Sequence, residues 1–334
     1  MEPTRIGING LGRIGRCALR AAWERPDVEV VGANDLVDAD DMAYLVAHDS
    51  VHGRFPTAVS AADGDLVLGD RTIPLHAERD PASIPWGDLG VDVVIESTGA
   101  FRSRADAAGH LDAGASRVLV SAPSDDADVT IVPGVNDAEF DAERHTVISM
   151  ASCTTNCVAP VLLALHRRFG IERGTFTTIH AYTSSQGLVD GPSRKRRRGR
   201  AAALSMVPTT TGAAVATERV LPSLEGRLDG LAVRVPVPDG SLVDLVATLE
   251  AEVTVDDLVE CFREAAAGDL AGVLGVSDDE LVSIDIVGRP ESALVDVATL
   301  GVLGGRTVKV LAWYDNEMGY ATRLVDLAST IHAA

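Results

Sequence analysis

Lysine is almost absent from the sequence, and the four cysteines are too few and too scattered to suggest a disulfide framework. No apolar run reaches the ~18 residues that a membrane-spanning helix needs. The first ten residues, MEPTRIGING, lack a basic start and a long apolar stretch, so we expect no signal peptide. Together these absences predict a soluble protein of a reducing cytoplasm, with no membrane partner.

Acidic residues outnumber basic ones by 49 to 29, which gives a formal net charge of −20. Because a nucleic-acid interface needs positive charge, we do not expect nucleic-acid binding. Only Lys195 and Lys309 are lysines, so 27 of the basic residues (29 minus 2) are arginines. Many acids with few lysines resemble proteins of a salt-rich cytoplasm, where salt screens the repulsion between surface carboxylates. A coding bias explains the arginines equally well, but it does not explain the excess of acids.

The chain is long enough for two domains, because its 334 residues exceed the ~100–200 of one ordinary domain. Its first half alternates strand-like and helix-like stretches, beginning with a strand at 5–9, a helix at 13–23 and a strand at Val28–Asn34. Further helices are expected at 38–48 and 104–113. This alternation predicts an α/β domain with a Rossmann-type doubly wound parallel sheet.

The second half of the sequence has a different pattern. After a predicted helix, long stretches alternate apolar and polar residues, as the half-buried strands of antiparallel sheets do. We expect helices at 152–168 and 255–267, and strands at 174–182, 230–237, 241–253, 282–287, 293–296 and 307–314. The pattern predicts an α+β domain with a mostly antiparallel sheet. The polar stretch 183–204 is long for a loop, and long ordered loops are usually functional.

The segment RIGINGLGRIGR contains Gly10, Gly12 and Gly15 in the pattern G-x-G-x-x-G, directly after a predicted strand and before a predicted helix. That context turns a weak motif into a dinucleotide-binding hypothesis, because the glycines let the backbone approach a pyrophosphate at the helix N-terminus. The second strand ends at Asp35, where a carboxylate would bond the adenosine ribose and repel a 2′-phosphate. This favours NAD over NADP.

The stretch SMASCTTNC places Cys153 among hydroxyl residues, where a predicted strand ends and a helix begins. At a helix N-terminus, the dipole and the backbone N–H groups favour the thiolate, which is the nucleophilic form of cysteine. The alternative is a buried structural thiol, but the hydroxyl-rich flanks favour catalysis. Cys157 lies one turn later among apolar residues, so we interpret it as packing. A metal site is not expected, because two cysteines at this spacing lack a second pair of ligands.

The candidate partner of this cysteine is His180, at the end of the strand-like stretch GTFTTIHAYT. Threonines flank it on both sides, which is typical of the wall of a site. A base or acid that serves a catalytic cysteine is expected to lie far away in sequence and to meet it in space.

Nine segments, in order from the first predicted strand to the last helix, resemble phosphorylating glyceraldehyde-3-phosphate dehydrogenases. They are GINGLGRIGR, ND at 34–35, HDSVHGRF at 48–55, ESTG at 96–99, MASCTTN, HAYT, TTTGAA at 209–214, RVPVP at 234–238 and WYDNEMGY at 313–320. The resemblance implies an NAD-binding domain at 1–151, completed by a C-terminal helix at 317–334, and a catalytic domain at 152–316. It also implies a homotetramer.

The resemblance implies a two-step oxidation of an aldehyde. Cys153 would attack the aldehyde carbon, and its backbone N–H would help to hold the oxyanion. His180 would lower the pKa of the thiol, steady the oxyanion and take the proton. Hydride transfer to the nicotinamide would leave a thioester, which inorganic phosphate would convert to 1,3-bisphosphoglycerate.

Such a reaction on a phosphorylated substrate requires two anion pockets and a cofactor groove. By resemblance, the substrate phosphate would contact Thr183 and Arg234, the latter through a charge-assisted hydrogen bond. The attacking phosphate would contact Ser152, Thr154, Thr211 and the backbone of Gly212, and Arg234 lies in a motif that could serve both phosphates. The expected cofactor-binding residues are Gly10, Gly12, Arg13, Ile14, Gly15, Asp35, Ser97, Thr98, Ser121, Asn316 and Tyr320.

Three features depart from the usual pattern of the family. Met318 replaces its usual Trp, and we expect packing to survive because Met is flexible and apolar. The stretch 194–200 is unusually basic, and we expect its arginines to meet carboxylates of an acidic neighbouring subunit. Gly191 is small where NAD-specific relatives carry a larger residue, which permits partial use of NADP.

Three other functions remain open at this stage. An erythrose-4-phosphate dehydrogenase would share the CTTN motif but hydrolyse its thioester, and the HAYT and TTTG motifs favour phosphate instead. A reductase of amino-acid semialdehyde acyl phosphates would need a carboxylate- or amine-binding pocket, for which the sequence has no signature. A binding protein on the same fold would not need Cys153, His180, Arg234 and Asn316 together.

Overall fold

The computed structural model describes residues 2–333, and its long-range contacts divide the chain into two compact units. The first unit contains the residues up to 131, residues 137–151 and those from 320 onwards. The second unit contains residues 132–136 and 152–319. Among the described residues, no helix combines the length and the apolar character needed to cross a membrane, and no cysteine forms a disulfide.

The first unit is built on a parallel sheet of seven strands. The strands of the whole unit, including those of two smaller sheets, are β1 (Thr4–Asn9), β2 (Val28–Asn34), β3 (His48–Asp49), β4 (Gly53–Arg54), β5 (Val59–Ala62), β6 (Asp65–Leu68), β7 (Arg71–Ile73), β8 (Leu75–His76), β9 (Val93–Glu96), β10 (Arg117–Val120), β11 (Val129–Thr130) and β12 (Val147–Ser149). Its helices are α1 (Arg13–Ala22), α2 (Ala39–Ala47), α3 (Arg104–Ala107) and α4 (Gly109–Asp112).

The order of the large sheet is β11-β12-β10-β9-β1-β2-β8, and every pairing in it is parallel. The chain therefore starts in the middle of the sheet and winds outwards in both directions, which confirms the predicted doubly wound fold. The central strand β9 is buried along its whole length, as strands covered on both faces are. In the smaller sheet of β5, β6 and β7, strands β6 and β7 form a hairpin whose turn contains Gly69.

Two glycines allow the close turn between β1 and α1. Gly10 has φ +89°, a left-handed conformation that side chains rarely adopt, and a Cβ there would lie 2.7 Å from the backbone nitrogen of Thr98. A Cβ on Gly15 would lie 2.0 Å from the carbonyl oxygen of Gly10. Any larger residue at either position would push the turn apart.

The second unit contains an eight-stranded mixed sheet. Its strands are β13 (Ile171–Ala181), β14 (Val207–Thr210), β15 (Leu228–Val235), β16 (Ser241–Leu249), β17 (Leu274–Ser277), β18 (Ala293–Asp296), β19 (Gly301–Leu303) and β20 (Thr307–Tyr314). Its helices are α5 (Cys153–Phe169), α6 (Ala213–Val220), α7 (Val255–Ala267) and α8 (Ser283–Ile286). The last helix, α9 (Met318–Ala333), begins at the end of this unit and lies mostly in the first.

Most neighbours in this second sheet are antiparallel, as predicted; β13 pairs with β15, and β17 with β18, in parallel. The central strand β16 alternates buried positions with more accessible ones along its length, which is the pattern that identified it in the sequence. The strand ends at Leu249, short of the predicted 253, because the backbone of Glu250 turns to donate to the carbonyl of Gly170.

Two sequence-based assignments were wrong. The predicted strand at 282–287 is the short helix α8: Val282 and Ile284 are 57% and 70% exposed, so their alternation faces no core. Instead, the Asp285 carboxylate accepts a hydrogen bond from the backbone N–H of Val282 at 2.9 Å, which starts a helical turn. The predicted helix at 104–113 is divided into α3 and α4, where Gly109 has a low helix propensity.

Helix α7 provides a test of local stability. Thr254 and Asp257 form a capping box: the Thr254 hydroxyl accepts from the Asp257 backbone N–H at 3.3 Å, and the Asp257 carboxylate accepts from the Thr254 N–H at 2.8 Å. We expect Thr254→Ala to lower the free energy of unfolding by about 1 kcal/mol, measured by urea denaturation. The control is Thr254→Ser, which keeps the hydroxyl; equal loss in both variants would contradict the capping assignment.

Candidate active site

The reactive thiol candidate stands at the beginning of α5. Ser152 is the N-cap residue of this helix, and its hydroxyl accepts a hydrogen bond from the backbone N–H of Thr155 at 3.1 Å. Cys153 follows as the first helical residue and is half-buried, whereas Cys157 is completely buried one turn later. The first residues of a helix offer backbone N–H groups that have no intrahelical acceptor. Only one of these two cysteines therefore combines access with a position at the positive end of the helix.

The structure brings Cys153 and His180 together. The Sγ atom of Cys153 lies 3.4 Å from Nε2 of His180, the last-but-one residue of β13. The other ring nitrogen, Nδ1, lies 2.7 Å from the carbonyl oxygen of Ala181. Because that oxygen only accepts, Nδ1 carries the hydrogen, and the lone pair of Nε2 faces the sulfur. In this tautomer the imidazole can take a proton from the thiol.

A positive charge lies beside this pair. The parallel register of β13 and β15 sets Arg234 opposite His180. Its Nη1 donates to the Ala181 carbonyl at 2.9 Å and to the Thr183 hydroxyl at 3.4 Å. Nη1 also lies 3.1 Å from Nδ1 of His180, because both nitrogens donate to the same carbonyl oxygen of Ala181. Of the predicted substrate-phosphate residues, Thr183 and Arg234 are thus in contact with each other and next to His180.

The electrostatics correct one expectation from the sequence. Burial raises the pKa of Cys153 to about 11, although Arg234 and the backbone N–H of Thr154 oppose the rise. Burial, with the charges of Arg234 and Arg198, lowers the pKa of His180 to about 3. The resting pair is therefore a thiol beside a neutral imidazole at neutral pH. The groups that lower the pKa of this thiol are Arg234 and Thr154, and His180 is not among them.

Sequence reasoning also missed a buried hydroxyl group close to the pair of Cys153 and His180, that of Tyr314. Tyr314 at the end of β20 is 2% exposed, and its hydroxyl contacts the hydroxyls of Thr154 at 3.0 Å and Thr178 at 2.7 Å. Its ring meets that of His180 edge-on, with the centroids 5.9 Å apart. Thr154 was predicted as a phosphate ligand; in this structure its hydroxyl faces Tyr314 and ties α5 to β20.

The remaining predicted phosphate residues lie at a second helix N-terminus. Gly212 is the residue that precedes α6, and the hydroxyl of Thr211 accepts from the backbone N–H of Ala213 at 3.2 Å. Oriented backbone N–H groups at such a terminus favour an anion. The structure thus places these two residues directly before α6 and Ser152 directly before α5, rather than on the strand that carries Arg234.

Sequence reasoning missed Arg198, which it treated only as part of a basic stretch. Its Nε donates to the Thr209 hydroxyl at 3.0 Å, and its charge lowers the pKa of both His180 and Arg234. The signal that was available was its place in a long polar loop beside the TTTG motif. Another cation of the same stretch, Arg200, pairs at 2.9 Å with Asp190 of its own loop.

A cavity of ≈ 430 Å³ in the first unit lies at the carboxyl ends of the central strands. Among its lining residues are Gly10, Gly12, Asp35, Ser97 and Thr98, all of them predicted cofactor residues. The Asp35 carboxylate accepts from the backbone N–H groups of residues 11 and 37, at 2.7 and 3.2 Å, and the Ser97 hydroxyl donates to the Gly10 carbonyl at 2.7 Å. The backbone N–H groups of a glycine turn can donate to the pyrophosphate of a dinucleotide, and the neighbouring carboxylate can accept from its ribose hydroxyls.

The other predicted cofactor residues lie outside this lining. Arg13 and Ile14 belong to the first turn of α1, and Arg13 forms an ion pair with the buried carboxylate of Asp49. Gly15 packs against Gly10, as described above. Ser121 follows β10 and donates its backbone N–H to the Glu96 carbonyl at 3.0 Å.

Two of the predicted cofactor residues belong to the WYDNEMGY motif. The amide oxygen of Asn316, in the second unit, accepts from the Ser241 hydroxyl at 2.5 Å. The hydroxyl of Tyr320, on α9, donates to the carbonyl of Ala151 at 2.9 Å. Both side chains are almost completely buried.

Comparison with known proteins agrees with this arrangement. The family described as glyceraldehyde 3-phosphate dehydrogenase, NAD binding domain, matches residues 4–104, and the one described as the C-terminal domain matches residues 152–316. The chain is 52% identical over 327 residues to glyceraldehyde-3-phosphate dehydrogenase of Geobacillus stearothermophilus, with 98% of each chain covered. It is 53% identical to glyceraldehyde-3-phosphate dehydrogenase 1 of Bacillus subtilis (strain 168) and to glyceraldehyde-3-phosphate dehydrogenase 2 of Streptomyces arenae, again with 98% of each chain covered. The chain therefore belongs to the glyceraldehyde-3-phosphate dehydrogenase family.

Proposed function

We propose that the chain oxidises glyceraldehyde 3-phosphate with NAD and inorganic phosphate, giving 1,3-bisphosphoglycerate and NADH. The single observation that carries this proposal is the 3.4 Å contact between Cys153 Sγ and His180 Nε2, in a chain of this family. A thiol in contact with an unprotonated imidazole nitrogen is the arrangement that nucleophilic attack on a carbonyl requires.

In the first step the sulfur forms a bond to the aldehyde carbon while the thiol proton passes to Nε2 of His180. The carbonyl π bond breaks, and its electron pair moves to oxygen. The backbone N–H of Cys153, at the first position of α5, supports the developing oxyanion together with the imidazolium. Return of the proton to that oxygen completes the thiohemiacetal.

The second step removes a hydride from the former aldehyde carbon. NAD supplies the acceptor for this hydride when it is bound. His180 takes the hydroxyl proton again, so that the carbon–oxygen double bond re-forms and a thioester remains on Cys153. A phosphate oxygen then attacks the thioester carbon, the carbon–sulfur bond breaks, and the sulfur recovers its proton from His180.

The cations and hydroxyls near this pair have a place in the proposal. Arg234 and Thr183 hold the substrate phosphate, which the guanidinium binds by charge-assisted hydrogen bonds. The attacking phosphate is held by Ser152, Thr211 and the Gly212 backbone, with help from Arg234, whereas the hydroxyl of Thr154, predicted for the same role, contacts Tyr314. Arg198 adds positive charge in the same region.

For the cofactor, we assign the pyrophosphate to the turn formed by Gly10, Gly12 and the start of α1, with Arg13, Ile14 and Gly15. Asp35 holds the adenosine ribose and disfavours the 2′-phosphate of NADP, while the small Gly191 leaves partial NADP use open. Ser97, Ser121, Asn316 and Tyr320 complete the set; Asn316 orients the nicotinamide carboxamide.

Several coarser features belong to the same proposal. The domains are an NAD-binding domain at 1–151, completed by 317–334, and a catalytic domain at 152–316; the family matches at 4–104 and 152–316 support this division. A homotetramer would cover exposed apolar side chains such as Leu188, Val189, Leu204 and Met206, each more than 70% exposed. A salt-rich cytoplasm fits the net charge of −20.

The function is tested by NADH formation from glyceraldehyde 3-phosphate, with and without inorganic phosphate, across a salt series. We expect turnover to require phosphate and Cys153→Ser to abolish it while NAD still binds, because a serine hydroxyl is a far weaker nucleophile here. NADP in place of NAD is expected to give slower turnover. Oxidation that proceeds equally well without phosphate, or faster on erythrose 4-phosphate, would assign the chain to thioester hydrolysis instead.

The base is tested by His180→Asn. Because Asn cannot take the thiol proton, we expect kcat to fall by roughly two to four orders of magnitude with the protein still folded. Circular dichroism checks the fold, and the rate of hydride transfer in a single turnover checks the step. A variant that keeps near-normal turnover would remove His180 from the mechanism.

The charge of Arg234 is tested by the alkylation of Cys153 with uncharged iodoacetamide as a function of pH. Arg234 opposes the rise of the thiol pKa, so Arg234→Met should move that pKa further above 11. Below pH 11 the thiolate fraction and the alkylation rate should therefore fall, by roughly tenfold or more for a charge this close. The other three cysteines are at most 3% exposed, so the measured alkylation is expected to come from Cys153.

A matched control for this measurement is Arg263→Met. Arg263 is an exposed cation of the same unit and pairs with Asp278 at 2.7 Å. Its loss removes the same charge at the surface, where salt and water screen it. An equal effect of both substitutions would show that net charge, and not Arg234 itself, sets the reactivity of the thiol.

A further inference from the structure

We infer that Glu96 and His110 are positioning residues of the nucleotide cavity, where they hold the side chains of Asn9 and Thr98 in its wall. The inference rests on the NAD-dependent function proposed above. All four residues belong to the first unit, and Asn9 and Thr98 line the cavity, which Glu96 and His110 do not. The two pairs are nevertheless joined by one buried network of hydrogen bonds.

Glu96 is the centre of this network. It is the last residue of β9, only 2% exposed, and a buried carboxylate is tolerated only where hydrogen bonds replace its water. Its Oε1 accepts from the backbone N–H of Thr98 at 2.8 Å and from the Thr98 hydroxyl at 2.5 Å. Its Oε2 accepts from the amide of Asn9 at 2.5 Å and lies 3.1 Å from Nε2 of His110. Four donors thus converge on two oxygens.

His110 has only one tautomer that fits its surroundings. The residue is fully buried on α4, and the indole Nε1 of Trp86 lies 2.9 Å from its Nδ1. Because an indole nitrogen can only donate, Nδ1 accepts and the ring hydrogen is on Nε2, where it faces Glu96. Nε2 and the amide nitrogen of Asn9 lie 3.4 Å apart because both donate to the same carboxylate oxygen of Glu96. Trp86 thereby fixes the donor that holds Glu96.

The network fixes which way Asn9 points. The NH₂ group of Asn9 donates to Glu96, so its amide oxygen is directed towards Asn34, whose own NH₂ group donates to it at 2.8 Å. Asn34 in turn exchanges two hydrogen bonds with the backbone of Glu78, at 2.8 and 2.9 Å. An amide that turned over would set donor against donor at one end and acceptor against acceptor at the other. The neighbouring strands β1 and β2, and the loop after β9, therefore present fixed side chains to the cavity.

The same carboxylate shapes the loop after β9. The Thr98 hydroxyl donates to Glu96 and accepts from the backbone N–H of Ala100 at 3.0 Å. Residues 97, 98, 100 and 101 all line the cavity. With Glu96 altered, this turn would lose both hydrogen bonds that tie Thr98 to the strand, and the wall of the cavity would lose its definition.

The test uses Glu96→Gln, a change of equal size. Glutamine has an NH₂ group in place of one carboxylate oxygen, and this NH₂ group cannot accept hydrogen bonds. Two of the four donors that now converge on the carboxylate would therefore face another donor and lose their hydrogen bonds. We expect the dissociation constant for NAD, measured by calorimetry on the full chain, to rise about tenfold to a hundredfold. In steady state the KM for NAD should rise likewise, with kcat at saturating NAD nearly unchanged. Alkylation of Cys153 without NAD should be unaffected.

Two variants of His110 test separately the N–H group that this residue donates to Glu96. They also keep the inference testable if the Glu96→Gln protein does not fold. His110→Leu removes the N–H that faces Glu96, and His110→Gln supplies an N–H of similar reach. We expect weaker NAD binding in the leucine variant and substantial recovery in the glutamine variant. The matched control is Glu29→Gln on β2, an exposed carboxylate 3.6 Å from Arg5, which should leave NAD affinity unchanged.

The outcomes separate this inference from the proposed function. A folded Glu96→Gln protein that binds NAD as tightly as the unaltered chain, or that loses kcat at unchanged affinity, would overturn the positioning role. Equal affinity in His110→Leu and His110→Gln would remove His110 from it. Absence of NAD binding in the unaltered chain would overturn the proposed function and this inference together.

Discussion

The carbonyl oxygen of Ala181 fixes the chemistry of the candidate active site. It accepts from Nδ1 of His180 and from Nη1 of Arg234, two donors for its two lone pairs. The first bond assigns the imidazole hydrogen to Nδ1 and leaves Nε2 open towards the sulfur of Cys153. The second holds a guanidinium beside the ring. A change in the parallel register of β13 and β15 would move Arg234 away from this carbonyl, whereas the bond to His180 lies within β13 itself.

Burial then decides the resting state of the pair. A helix N-terminus and a nearby arginine both favour thiolate, and the first of these effects could be predicted from the sequence. The structure adds desolvation, which outweighs them and leaves a thiol with a pKa of about 11. The same burial keeps His180 unprotonated and therefore able to act as a base. In the proposed reaction the proton would therefore move during attack on the aldehyde, and the imidazole would take part in that step rather than charge the thiol beforehand.

The contrast between Thr307–Tyr314 and residues 282–287 shows what the sequence could predict. Both stretches alternate apolar and polar residues, but only the first alternates between a core and solvent. Local patterns therefore located long elements and the glycine turn at Gly10, because periodicity and backbone geometry are local properties. The contacts of Tyr314 with Thr154 and Thr178 arise between residues 160 and 136 positions apart in sequence. No local pattern encodes them, and the pKa of Cys153 depends on burial that only the folded chain creates.

The distribution of charge shows how a strongly acidic chain can still hold anions. Among the described residues, the acids that are buried as whole residues are Glu96, Asp239, Asp296, Asp315 and Glu317, and the side chain of Asp49 is buried as well. Most of the 49 acidic residues therefore face the solvent at least in part. Salt screens such surface charges beyond a Debye length of about 8 Å at physiological ionic strength. Arg234 acts at contact distance in a largely desolvated setting, where screening is weak. Higher salt therefore removes the long-range repulsion of a phosphorylated substrate faster than it removes the attraction at the site.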